Sequence, residues 1–195
     1  VCLVAFTAAT AVAAQTNPPI RIGVLSDLSG AFADVSGPGS LLAARMAAED
    51  YRATHPGRPV DVISGDHQNK ADTGSGIARR WIDTEGVDLI IDVPNSAVAL
   101  AVSEVVKNAN RTFLVTGGVS SALTGAQCSP NTVHYSIDTW TMANVPTRSL
   151  VQEGGTSWFY VTADYAFGHD MQAQSSRALT AAGGRVAGSV RYPLN

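Results

Sequence analysis

Three short stretches gather hydroxyls, amides and glycines in a way that suits recognition of a small polar molecule. The first, Ser26 to Gly39, carries Ser29, Gly30, Phe32, Val35 and Ser36, and is long enough to reach over a ligand. In the second, Pro94-Asn95-Ser96, two good N-cap residues stand in succession. One of them caps the following helix, while free amide N–H groups and a hydroxyl are left to hold a carboxylate, which the positive end of the helix dipole favours. The plainer alternative is that Asn95 or Ser96 only caps its own helix. The third, Thr116-Gly117-Gly118-Val119-Ser120-Ser121, has adjacent glycines that let a ligand approach the backbone, so that Gly118 offers a carbonyl and Ser120 a hydroxyl. The alternative there is a simple turn.

Sharper catalytic signatures fail on context. Asp72-Thr73-Gly74-Ser75 spells the aspartic-protease triplet, but Asn69-Lys70-Ala71 precedes it where an apolar strand is needed, and Ile77-Ala78-Arg79-Arg80-Trp81 continues it as a helix. Asp72 therefore reads as a first-turn helix acid. The turn after the first strand, Leu25 to Gly30, lacks a dinucleotide fingerprint, and no Gly-x-Ser-x-Gly elbow occurs. His55, His67, His134 and His169 show neither metal spacing nor a nucleophile partner. We expect no catalytic residue, no cofactor and no metal. An exported α/β hydrolase or oxidoreductase remains the enzymatic alternative, and turnover of a candidate ligand would revive it.

Loops of this kind need a rigid scaffold, and the chain supplies one by alternation. Apolar strands at Ile20–Leu25, Val60–Ser64, Val87–Val93 and Thr112–Thr116 are separated by helix-spaced stretches at Ser40–Thr54, Ala71–Thr84 and Ser96–Asn108. Nearly continuous apolar strands between helices imply an α/β fold, with a parallel sheet covered on both faces. Ligands then bind beyond the carboxyl ends of the strands, where the three loops lie. The rhythm breaks between Gly117 and Asp138, with Thr132–Tyr135 extended near the end of the break. A second series follows: helix Thr139–Glu153, strand Ser157–Thr162, helix Gly168–Ala182 and strand Arg185–Arg191. We place a first lobe at 20–136 and an incomplete second lobe at 137–195.

The 195 residues are 45% hydrophobic and 15% charged, with a formal net charge of −3, a globular composition. Without clustered Lys and Arg, nucleic acid is not an expected partner. Val1 to Gln15 is uncharged, apolar and ends in Ala11-Val12-Ala13-Ala14, like a truncated signal peptide with its cleavage site and too short to span a bilayer. We expect residues 1–15 to be removed on export, and Cys2 with them. Cys128 is then the single cysteine of the mature part, either buried as a thiol or paired with a cysteine beyond residue 195.

Ile22-Gly23-Val24-Leu25-Ser26-Asp27-Leu28-Ser29-Gly30, Ala43-Ala44-Arg45-Met46-Ala47-Ala48-Glu49-Asp50, Asn95-Ser96-Ala97-Val98-Ala99-Leu100-Ala101 and Ala163-Asp164-Tyr165-Ala166-Phe167-Gly168 are similar, in order and spacing, to the periplasmic leucine/isoleucine/valine-type binding proteins of ABC transporters. The resemblance runs from about Ile20 to Asn195. It implies a type I periplasmic-binding-protein-like fold, two α/β lobes joined by crossover strands, of which this chain is the N-terminal part. It implies a periplasmic solute-binding protein, monomeric at full length, that carries an amino acid or aromatic acid to a transporter permease. The family's carboxylate-binding serine region falls on Asn95 and Ser96, and its carbonyl and threonine contacts fall on Gly118 and Ser120. Its first-lobe aromatic falls within Phe32 to Ser36. The second-lobe aromatic falls on Phe167, with Tyr165 nearby. A sensory ectodomain of the same fold is the alternative that the resemblance leaves open.

Overall fold

The computed structural model describes residues 17–194, so the expected signal segment lies outside the described residues. In chain order the elements are β1 (Ile20–Ser26), α1 (Gly37–Thr54), β2 (Val60–Asp66), α2 (Ala71–Thr84), β3 (Leu89–Asp92), α3 (Ser96–Asn108), β4 (Thr112–Val115) and β5 (Thr132–His134). A 3-10 turn, Ser121–Leu123, interrupts the path from β4 to β5. After these come α4 (Thr139–Gln152), β6 (Ser157–Ala163), α5 (Ala166–Ala181) and β7 (Arg185–Tyr192).

The first five strands form one sheet in the order β2-β1-β3-β4-β5, every pair parallel. Side chains alternate across a sheet, so Leu25 and its neighbour Val24 must point to opposite faces. Leu25 joins Ile90, Phe113 and Val115 in the main core, together with Trp81 of α2 and Val98, Val102 and Val106 of α3. Val24 is equally buried but lies outside that cluster, as does Ala48 of α1. Helices thus cover both faces, which is why the strands read as apolar runs rather than alternating ones.

β6 and β7 form a separate parallel pair. α5 packs on one side of it, while Phe159, Val161, Val190 and Tyr192 are left exposed. α4 packs mainly on α5 and contains Pro146, whose missing N–H interrupts the helical ladder. Cys128 is exposed, which removes the buried thiol from its two expected fates. No described helix is long and apolar enough to cross a membrane.

Candidate functional site

The strand order places β1 between β2 and β3, so the chain leaves β1 toward one edge and returns to the other side. Such a switch point opens a crevice at the carboxyl ends of the strands. A cavity of about 460 Å³ lies there. Phe32, Val35 and Ser36 line it from the loop after β1, Asp92, Pro94 and Ser96 from the β3–α3 junction, and Thr116, Gly117 and Val119 from the loop after β4. Tyr165 and Phe167 close it from the start of α5, with Met142 of α4 beside them.

Of the residues expected from sequence, Phe32, Ser96, Tyr165 and Phe167 meet at this cavity. Phe32 and Tyr165 stand with ring centroids 6.4 Å apart, and Tyr165 and Phe167 5.8 Å apart, both pairs tilted, within the range of favourable aromatic contacts. Burial, with Tyr192 nearby, pushes the Tyr165 phenol up to about 12, so it stays a neutral donor. The Ser96 hydroxyl oxygen accepts the N–H groups of Val119 and Ser120, both at 3.3 Å. Those bonds occupy its lone pairs and leave its proton free to donate.

Asn95, Gly118 and Ser120 sit behind the wall instead. The Asn95 side chain accepts from the amides of Ala97 and Val98 at 2.9 and 3.3 Å, so two of the amides that an anion could have used are spent on the cap. The Gly118 carbonyl accepts from the Ser136 hydroxyl at 2.9 Å and meets His134 Nε2 at 2.7 Å. The Ser120 hydroxyl donates to Asp170 at 2.8 Å.

A buried polar relay connects these loops. Asp27 is fully buried, and its carboxylate accepts from the amides of Gly30 and Phe32, each at 2.8 Å, and from the Asn69 side chain. Asn69 in turn accepts from Asn95 at 3.3 Å. The placement of Phe32 is thereby coupled to the cap of α3. Asn69 has φ 57°, a conformation asparagine tolerates better than most residues. At the end of β3, Asp92 and Val93 have φ 83° and 57°. A buried β-branched valine there is strained by an amount on the order of 1–3 kcal/mol. That twist turns the chain from β3 into the cavity wall.

His67 is fully buried. Its Nδ1 accepts from the Asn69 amide at 3.0 Å, which places the neutral ring's proton on Nε2, where it finds no partner among the described residues. Burial lowers the pKa of His67, against the opposing charges of Asp27, Asp66 and Asp92. Desolvation also acts on Asp66, in the raising direction, but bonds from Ser29, Gln68 and Leu28 outweigh it and hold this carboxyl below its ordinary value. Both groups bind fewer protons folded than unfolded, so stability is lost as pH drops through the range of each. The His67 contribution is complete above the ordinary imidazole value of about 6.5 and is lost as pH drops below it. The Asp66 contribution is lost only below about 3.9. A plot of Tm against pH is expected to show two acid limbs, and His67→Gln should remove the upper one. A single limb in the carboxylate range would show that His67 has no part in it.

The sequence profile described as periplasmic binding protein matches residues 19–195. The chain belongs to the periplasmic binding protein family. This family member is 40% identical to a periplasmic binding protein of Burkholderia mallei, with a TM-score of 0.86, over 91% of this chain and 47% of that one. It is 35% identical, TM-score 0.74, to a branched chain amino acid ABC transporter periplasmic ligand-binding protein of Burkholderia xenovorans, over 90% and 47% of the two chains. Leu/Ile/Val-binding protein homolog 6 of Brucella abortus is 26% identical over 180 residues, 90% of this chain and 44% of the relative. The chain thus spans about half the length of the relatives it matches. All three are named as binding proteins and none as an enzyme. Among the described residues no group of His, Cys, Asp and Glu is arranged to hold a metal ion.

Proposed function

We propose that this chain forms the N-terminal part of an exported solute-binding protein that captures a small carboxylate-bearing solute, an amino acid or aromatic acid, for an ABC transporter. The first lobe spans 20–136, and the second, begun at 137, is completed by further chain of the kind its relatives carry. The observation that carries this reading is the meeting of Ser96 and Phe32 from the first sheet's loops with Tyr165 and Phe167 from α5 around one cavity. The Ser96 hydroxyl donates to the solute's carboxylate, at a helix start whose dipole favours the negative charge. The aromatic side chains enclose its apolar body. A ligand that touches both lobes stabilises their closed arrangement, since only differential contact shifts such an equilibrium. The naming of the Burkholderia xenovorans relative as a branched chain amino acid transporter component favours the same ligand class.

The test is calorimetric titration of the protein at its full encoded length with L-leucine, L-valine, benzoate and 4-hydroxybenzoate, in wild type and in Phe167→Ala. At least one of these carboxylates should bind, and the truncation should weaken it by about tenfold or more, because the lost aromatic contact is worth at least ~1.4 kcal/mol. Unchanged affinity in Phe167→Ala would sink the pose, and silence from all four would sink the carboxylate reading.

A further inference from the structure

One side chain that helps to join the two sheets is one the ligand does not need to touch. Asp170 lies on α5, one turn after Phe167. Its carboxylate gathers donors from the first sheet's β4–β5 connection and from the start of α4. Ser120 donates its hydroxyl at 2.8 Å and Ser121 its amide at 2.8 Å and its hydroxyl at 2.9 Å. Thr139 donates at 2.6 Å. Gln174, one turn further along α5, donates to both Asp170 and Ser121. Ser120 and Thr139 are almost completely buried, so the junction is shielded from solvent.

We propose that Asp170 is a positioning residue at the joint between the two sheets, setting the angle at which α5 presents Tyr165 and Phe167 to the cavity in the closed arrangement. Three features support this. The donors come from two separate elements, so they fix direction as well as distance. Every one of them is neutral, and a carboxylate satisfied by several neutral donors is held more tightly than by one surface ion pair. Finally, α5 is stiff over one turn, so an anchor at Asp170 reaches Phe167 with little loss. The inference rests on the solute-binding reading for its functional consequence, but not for its geometry. On this view Ser120 acts through the joint and not on the solute.

Asp170→Asn in the full-length protein tests it. The amide keeps the size of the side chain but removes its charge and turns one acceptor into a donor, which faces four donor groups at the Oδ2 position or two at the Oδ1 position. With Cys128→Ser as background, labels at Glu49→Cys on α1 and Arg177→Cys on α5 report the spacing of the two units by electron–electron resonance without any ligand. Wild type should show a population at the spacing of this arrangement, and Asp170→Asn should deplete or displace it. Affinity for whichever of L-leucine or benzoate the wild type binds should fall about tenfold, the effect of losing a charge-assisted bond. An unchanged distribution overturns the proposal whatever binding does. A changed distribution, with no binding by wild type, supports the joint and counts against the solute-binding reading instead. Should Asp170→Asn not fold, Ser121→Ala removes one donor from the other side and must displace the distribution in the same way. If it leaves the distribution unchanged, Asp170 does not set the angle.

Discussion

Trp81→Ala is expected to lower the unfolding free energy by about 3–5 kcal/mol, the usual range for deleting a large buried aromatic. Trp81 is 1% exposed and lies between α2 and the strands beneath it. Two glycines make room for its ring. A methyl group at Gly65 would sit 2.9 Å from Trp81 Cζ2, and one at Gly23 would press into the six-membered ring, with Cη2 only 3.3 Å away. The site cannot collapse after truncation, because β1 is hydrogen-bonded to strands on both sides and cannot move toward the helix. Urea unfolding followed by circular dichroism measures the loss. A change below ~1 kcal/mol would mean that α2 is held by other contacts.

Gly168→Ala should be nearly as damaging to binding as it is to the fold, although Gly168 does not line the cavity. A Cβ at Gly168 would overlap the carbonyl oxygen of Ala163 and lie 2.9 Å from its carbon and 3.1 Å from its nitrogen. All three are backbone atoms at the end of β6, and no rotamer relieves them. The start of α5 must shift, and Tyr165 and Phe167 shift with it. Overpacking of this type costs about 1–3 kcal/mol or more. Ligand affinity should fall at least as far as in Phe167→Ala. Titration and thermal unfolding of the same sample separate the two effects, and a variant that is destabilised but binds normally would show that this junction does not place the aromatics.

The scaffold was legible wherever local pattern decides it. α2 and α3 begin and end at the residues expected from apolar spacing, and every expected strand is present with bounds moved by a residue or two. α1 starts three residues earlier than expected, at Gly37, because Pro38 is well suited to the first helical turn. α5 starts earlier too, at Ala166, which puts Phe167 on the helix and not before it. Of the aromatic residues that line the cavity, Phe32 was readable from its loop, and Tyr165 and Phe167 only from the family resemblance. The polar supports were not. Asp27 meets Asn69 across 42 positions and Asp170 meets Ser120 across 50. Such partnerships leave no local spacing to read. Nor could sequence tell which hydroxyls face inward, since Ser96 and Ser120 look alike until the Asp170 carboxylate is found beside one of them.

The position of β1 inside the sheet, and not at its edge, also governs how the chain folds. Its neighbours are β2 and β3, and the Arg21 amide bonds Asp88 across 67 positions. Closing so long a loop costs entropy before any ladder rewards it. The strand made first therefore waits longest for its second neighbour, with one edge open until β3 arrives. Refolding is expected to be slow for a chain of this length, and the interval before β3 docks is when two copies are most able to pair through β1 and misassemble.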